Sequence, residues 1–195
     1  MSTSKSDQLV ETALGLFRAH GVHAVGIDRV LAEAGVAKAT LYKHFRSKDD
    51  LVLAALRRLD ETGRRDLARA VASAAGDPAG RFVATADVIA TVADHGCTFC
   101  LAAQEFPDPD HPVHAAAREH KRLVRVWLAE LAAAADAVDP VDVASRAQLV
   151  LDGLYAAAAL GPEDGARARA AARRSLELLL DEARDRAGVT GPPRA

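Results

Sequence analysis

The chain has 195 residues, 50% of them hydrophobic and only 4% aromatic, with a formal net charge of −2. That length and apolar content suffice for one or two packed domains; the near-neutral charge excludes a surface that binds polyanions throughout, so any nucleic-acid face must be local. Two cysteines exclude a disulfide-framed scaffold, and no apolar run approaches the roughly 18 residues of a membrane span. Met1 to Asp7 is polar where a secretory signal needs an apolar stretch, so a reducing, cytoplasmic setting with no membrane partner is expected.

Ser4 and Asp7 have the spacing of a helix-capping box. Leu9, Ala13, Leu16 and Phe17 then recur at helical spacing until Gly21 stops the first helix. Gly26 opens a second helix with Ile27, Val30, Leu31 and Ala34 as its apolar stripe, and Gly35 ends it. A short third helix is predicted from about Lys38 to His44, with Leu41 and Phe45 turned inward. Helix, glycine turn and helix at this spacing predict a helix-turn-helix.

Ser47 and Asp50 repeat the capping spacing and start a long fourth helix, with Val52, Ala55, Leu56, Leu59, Gly63, Leu67, Ala70, Val71 and Ala74 along one side. Asp77-Pro78 is a cap followed by a first-turn proline. It opens a fifth helix marked by Phe82, Ala86, Ile89, Ala90 and Ala93 and ending near Gly96. Cys97 to Phe106 predicts a short sixth helix, and Pro107 to Pro112 a turn-rich connector. A seventh helix runs from about Val113 to Ala135, with His120, Val124, Trp127, Leu128 and Leu131 on one face. Asp139-Pro140 repeats the start signal for an eighth helix, carrying Val143, Ala147, Val150, Leu151, Leu154 and Ala158. Gly161-Pro162 precedes a ninth, carrying Ala172, Leu176, Leu179, Leu180 and Ala183. The tail from Gly188 to Ala195 is expected to fray. With no strand pattern, the predicted fold class is all-α with about nine helices. The expected domains are a helix-turn-helix at 1–50, a helical domain at 51–187 and a flexible tail at 188–195.

The third helix carries the chemistry. Lys38, Lys43, Arg46 and Lys48 fall in one short stretch with no acid among them, and a short basic helix is what a major groove accepts. Thr40 can offer its hydroxyl or methyl to a base edge or phosphate, and Tyr42 its hydroxyl to a phosphate. Lys43 is the base-edge donor, with a preference for guanine. Lys48 adds charge at the start of the fourth helix, where backbone N–H groups already favour phosphate.

Residues 9–56 closely resemble the N-terminal domain of the TetR family of bacterial transcriptional regulators. The resemblance rests on Ala34-Gly35-Val36, on Thr40-Leu41-Tyr42 with His44-Phe45, on Ser47-Lys48 with Leu51, and on Phe17 and Gly21. The chain departs from the family pattern at Gly26 and Ala37, where the family often has hydroxyl residues, so no phosphate contact is carried onto Ala37. The resemblance implies DNA contacts from Lys38, Ala39, Thr40, Tyr42, Lys43, His44 and Lys48. It implies a homodimer through the eighth and ninth helices, on a palindrome-like double-stranded DNA operator. It also implies a pocket for a small-molecule effector among the fourth to eighth helices. Candidate wall residues are Leu59, Phe82, Ile89, Phe99, Leu101, His120, Trp127, Leu131, Leu154 and Tyr155, with Gln104 and Glu105 as further polar groups. The expected function is a repressor released from its operator by a small hydrophobic ligand.

No cofactor and no metal is implied, and no nucleophile motif, phosphate loop or metal motif suggests an enzyme. Cys97-Thr98-Phe99-Cys100 forms a C-x-x-C, with His95, His111 and His114 near it in sequence. That leaves an alternative input, thiol oxidation or metal binding through Cys97 and Cys100.

Overall fold

The structure is a computed structural model that describes residues 4–189. Among the described residues every regular element is a helix: α1 (Lys5–His20), α2 (Ile27–Ala34), α3 (Lys38–His44), α4 (Lys48–Ala74), α5 (Pro78–Ala90), α6 (Thr98–Glu105), α7 (Pro112–Ala134), α8 (Pro140–Ala158) and α9 (Pro162–Val189). The all-α expectation is met. Of the tail expected at 188–195, the first two residues belong to α9 and the rest lies outside the described residues.

Local chemistry explains the boundaries. At α1, Ser4 Oγ accepts the Asp7 N–H at 3.0 Å and donates its proton to the Asp7 carboxylate at 2.7 Å, which satisfies one of the orphan donors of the first turn. The α2–α3 turn is a Schellman motif: Gly35 sits at φ +59°, its N–H bonds Ala32 O at 3.3 Å, and the next N–H, of Val36, bonds Leu31 O at 3.1 Å. Leu31 and Val36 are both buried at that turn. At α4, Ser47 Oγ accepts the Asp50 N–H at 3.1 Å, while Asp50 reaches back to the Arg46 N–H at 3.0 Å, one residue further out than a regular capping box. Asp77 and Asp139 cap α5 and α8 ahead of their first-turn prolines.

Helix α5 stops at Ala90 rather than near Gly96. Thr91 donates its hydroxyl to Val88 O at 2.7 Å. The N–H groups of Thr91 and Val92 turn to carbonyls three residues back, a tightening that ends helices.

The described chain forms two compact units. One joins Met1–Arg64 with Thr98–Lys121, and the other joins Arg65–Cys97 with Arg122–Ala195. The break points fall inside α4 and α7. In the first unit α1, α2 and α3 pack on one another, burying Leu9, Ala13, Phe17, Val30, Leu31 and Leu41. In the second unit α8 packs on α9, and both on α5. Its core runs from Phe82, Ala86 and Ile89 through Leu128 and Ala132 to Leu151, Leu154, Leu176 and Leu180.

Gly35→Ala meets open space but must keep the left-handed backbone, which costs an L-residue roughly 1–2 kcal/mol. The variant should unfold at lower urea by that amount, and Gly35→Asn should lose less, because Asn tolerates this conformation. Urea titration of the three proteins checks it.

Candidate functional site

Helix α3 has two unlike faces. Leu41 is fully buried and Phe45 nearly so, while Lys38, Ala39, Tyr42, Lys43 and His44 are exposed. Tyr42, at 51% exposure, is a large aromatic left in solvent, which a hydrophobic-core role would not allow. Thr40 is half-buried, as is Lys48 at the start of α4. Lys38 Nζ lies 3.3 Å from Asp28 Oδ1 on α2, with both side chains mostly exposed. Such a pair contributes little and yields readily to a phosphate. Neither Gly26 nor Ala37 makes a side-chain cap, so those two helix starts leave backbone N–H groups without a side-chain partner on the same surface.

Elsewhere in the first unit, α6 and the start of α7 hold the helix-turn-helix by polar contacts. Glu105 ends α6. Its carboxylate accepts the N–H of Val22 at 3.0 Å and of His23 at 2.6 Å. The Phe106 ring lies between the rings of His23 and His111, at centroid distances of 4.8 Å and 4.6 Å. His111 Nε2 sits 3.3 Å from Asp49 in the first turn of α4. Arg58 on α4 pairs with both Asp7 and Glu11 of α1.

His120 and Phe99, both expected as ligand-binding residues, are brought together. Their rings stack at 3.5 Å, 6° from parallel. His120 Nδ1 lies 2.6 Å from Asp60 Oδ1, and Arg64 clasps the same carboxylate with Nε and Nη2 at 2.8 Å and 2.9 Å. Burial pushes the His120 pKa down and outweighs the Asp60 carboxylate, which favours the proton. Burial pushes Asp60 up, but the hydrogen bonds from Arg64 and His120 outweigh it and hold Asp60 below its ordinary value. Both directions describe a neutral imidazole donating Nδ1–H to an ionised carboxylate. Leu59, in the same unit, is half-buried on α4.

The other expected ligand-binding residues belong to the second unit. Phe82 and Ile89 are part of its core, and Trp127 and Tyr155 pack against that core partly buried. Cys97 immediately precedes α6 and Cys100 lies in its first turn, both partly exposed. No group of three or more metal-ligating side chains gathers among the described residues.

The family model for bacterial regulatory proteins of the tetR family matches residues 9–55. Over nearly the whole chain, the structure matches a TetR-family transcriptional regulator from Streptomyces coelicolor at 35% identity and a TM-score of 0.84, covering 93% of this chain and 97% of that one. The chain belongs to the TetR family of transcriptional regulators.

Relatives described as HTH-type transcriptional regulators agree. The HTH-type transcriptional regulator YjdC of Escherichia coli strain K12 is 25% identical over 151 residues, 75% of this chain and 79% of that protein. The HTH-type transcriptional activator FasR of Mycolicibacterium smegmatis is 47% identical over 51 residues, which span 26% of this chain and 23% of that protein. The TetR-family chain is therefore a DNA-binding transcriptional regulator, and its family is one of regulators rather than enzymes.

Sequence reasoning missed Asp60 as the partner of His120, Asp49 as the partner of His111, and the backbone role of Glu105. The partners lie 60 to 83 residues apart, beyond any local pattern. One signal was available: an acid at the last position of a helix opposes the helix dipole, so Glu105 needed another reason to be there.

The His120 pKa gives a pH-dependent stability. The unfolded side chain takes a proton below its ordinary 6.5 while the folded one resists it, so the contribution is intact above that pH and is lost as pH falls from it towards the folded value. Between about pH 7.5 and about pH 5.5 the urea midpoint of the native chain should fall more than that of His120→Gln. Equal falls would remove His120 as the source.

Proposed function

We propose that this regulator is a homodimeric repressor, released from a palindromic double-stranded operator by a small hydrophobic effector and acting in the cytoplasm. The observation that carries the DNA half is the exposed face of α3, with Tyr42, Lys43 and His44 in solvent and Leu41 and Phe45 anchoring its back. Lys43 reads a base edge. Lys38, Ala39, Thr40, Tyr42, His44 and Lys48 fix register against sugar and phosphate. In this reading residues 1–50 bind DNA and residues 51–187 bind effector and dimerise. That no helix among the described residues is long and apolar enough to cross a membrane accords with a cytoplasmic site of action.

Support for the dimer comes from α8 and α9. Leu149, Gly153 and Ala156 fall at i, i+4 and i+7 on α8, and all three are exposed. Leu149 is 74% exposed, and the space over Gly153 is empty. On α9, Ala171 and Leu178 are exposed seven residues apart. An apolar strip with a glycine gap suits close approach of the same strip on a second copy. A two-fold dimer places two recognition helices about one DNA turn, roughly 34–36 Å, apart.

The residues proposed for effector binding are Leu59, Phe99 and His120 in the first unit and Phe82, Ile89, Trp127 and Tyr155 in the second. The stacked Phe99–His120 pair supports this choice, since it joins an apolar ring to a polar one. The effector acts by preferring one spacing of the recognition helices, and its effect is bounded by its differential affinity for the two spacings.

A thiol-responsive input is the second reading, favoured by the placement of Cys97 and Cys100 three residues apart at the start of α6, both free thiols and partly exposed. A hydroperoxide would oxidise one thiol to a sulfenic acid with release of an alcohol or water. The second thiol would then displace water to form the disulfide. Titration of the folded protein with a thiol reagent should then find two reactive groups, and two inert thiols remove this reading.

On a duplex selected by the protein from a random pool, Lys43→Ala should lose about 1–3 kcal/mol of specific binding and relax preference at one position. Lys48→Ala should weaken selected and unrelated duplexes alike and reduce the salt slope by about 1. Wild-type behaviour in both variants would overturn the orientation of α3. Native mass spectrometry should show a dimer, and Leu149→Arg with Leu178→Arg should yield monomer; a bare wild-type monomer would refute the α8–α9 interface.

A further inference from the structure

We propose that Glu105 is a positioning residue for DNA binding, which sets the helix-turn-helix from outside it by holding the backbone of the α1–α2 turn. Helix α1 ends at His20, and Gly21 caps it with φ +82° and an N–H bond to Phe17 O at 2.9 Å. The next two N–H groups, of Val22 and His23, have turned away from the helix. Both are taken by the two oxygens of Glu105, at 3.0 Å and 2.6 Å, from 83 and 82 residues along the chain. Charge-assisted bonds of this kind are among the stronger hydrogen bonds.

Gly21 is matched to that carboxylate. A Cβ at this position would lie 2.5 Å from Glu105 Oε1, so the glycine serves the carboxylate as well as the left-handed turn. Below the turn the chain is fixed by Val22 and Val25, both buried, and it leads through Gly26 directly into α2. Helix α3 packs on α1 and α2, so the direction taken at residues 21–23 sets where the recognition helix points. The same corner of the chain grips the other end of the module. Phe106, next to Glu105, stacks on His111, whose Nε2 lies 3.3 Å from Asp49 at the start of α4, beside Lys48. Glu105 ends a helix, where its charge opposes the helix dipole, and the bonds to the turn offset that cost. The DNA module thus depends on a residue that touches no DNA.

The test is operator affinity in a double-mutant cycle, using a duplex that the wild-type protein selects from a random-sequence pool and an unrelated duplex of equal length. Glu105→Ala should weaken the selected duplex about tenfold, in the range of residues that act on a site through others. The unrelated duplex should bind unchanged, because the lysines of α3 and α4 remain. Gly21→Ala should weaken the selected duplex at least as much, since its methyl group displaces the carboxylate and an L-residue is strained at φ +82°. The double variant should bind no more weakly than Gly21→Ala alone, because that variant has already released the hold of Glu105. Amide exchange at Val22 and His23 should quicken in all three. Glu105→Gln, which keeps the size and one acceptor oxygen, should fall between wild type and Glu105→Ala, and it keeps the test decisive if the alanine variant does not fold. The proposal is overturned if folded Glu105→Gln binds the selected duplex as wild type does, or if the Glu105 and Gly21 losses simply add. A drop in thermal stability with unchanged affinity of the folded protein would also overturn it, by making Glu105 a structural residue alone.

Discussion

A helix of seven residues cannot stand alone. Nucleation costs more than so few hydrogen bonds return, and isolated helices below about 12–15 residues are marginal in water. The recognition helix α3 is that short, and its start has neither a side-chain N-cap nor an acid in the first turn. Its existence and its direction therefore come from tertiary contacts: Leu41 and Phe45 buried beneath it, and the Schellman turn at Gly35 that delivers the chain into it. Burying such side chains contributes roughly 1.5–3 kcal/mol each, which is enough to hold about two turns of helix in place. The other side of α3 is thereby left out of the core, with Tyr42, Lys43 and His44 in solvent.

That dependence explains why the surrounding module is built from firm local devices. Ser4 with Asp7, and Ser47 with Asp50, fix the starts of α1 and α4, the helices on either side of the α2–α3 pair. Arg58 draws α4 onto Asp7 and Glu11. These pairs are largely exposed and individually worth little. Their value is geometric, because they restrict how α1 and α4 can shift and so restrict the platform on which α3 rests.

Much of this was legible in the chain. Caps, glycines and first-turn prolines are local signals, and they placed most helix starts. The end of α5 was not, because Ala93 continues the apolar stripe while the hydroxyl of Thr91 and the backbone bonds beside it end the helix first. The exposed face of α3 was legible because Leu41 and Phe45 mark its buried side and the basic and polar residues fall on the other. His120 stood out as a polar tip on an apolar face, yet its partner Asp60 did not, since on α4 it is one acid among several. Lys38 looked like a plain DNA contact, and its pairing with Asp28 on α2 depends on how α2 and α3 cross.

Both units combine apolar packing with directional ties between helices. The second unit carries directional ties, Arg169 and Arg173 of α9 to Asp87 of α5 and Arg146 of α8 to Glu182 of α9, together with apolar surfaces that bury Ala86, Ala132, Ala144, Ala147 and Ala172. Such surfaces exchange one packing for another at modest cost, provided that volume is conserved. The ties that link α6 and α7 to α1 and α4 in the first unit are directional too: Glu105 bonds two backbone N–H groups and His120 bonds Asp60, while His111 Nε2 lies 3.3 Å from Asp49. A hydrogen bond weakens steeply once its angle closes below about 120°, so each fixes direction as well as distance. Helix α6 contributes at both ends to the first unit: Phe99, near its start, stacks on His120, and Glu105, its last residue, holds the two backbone N–H groups after Gly21.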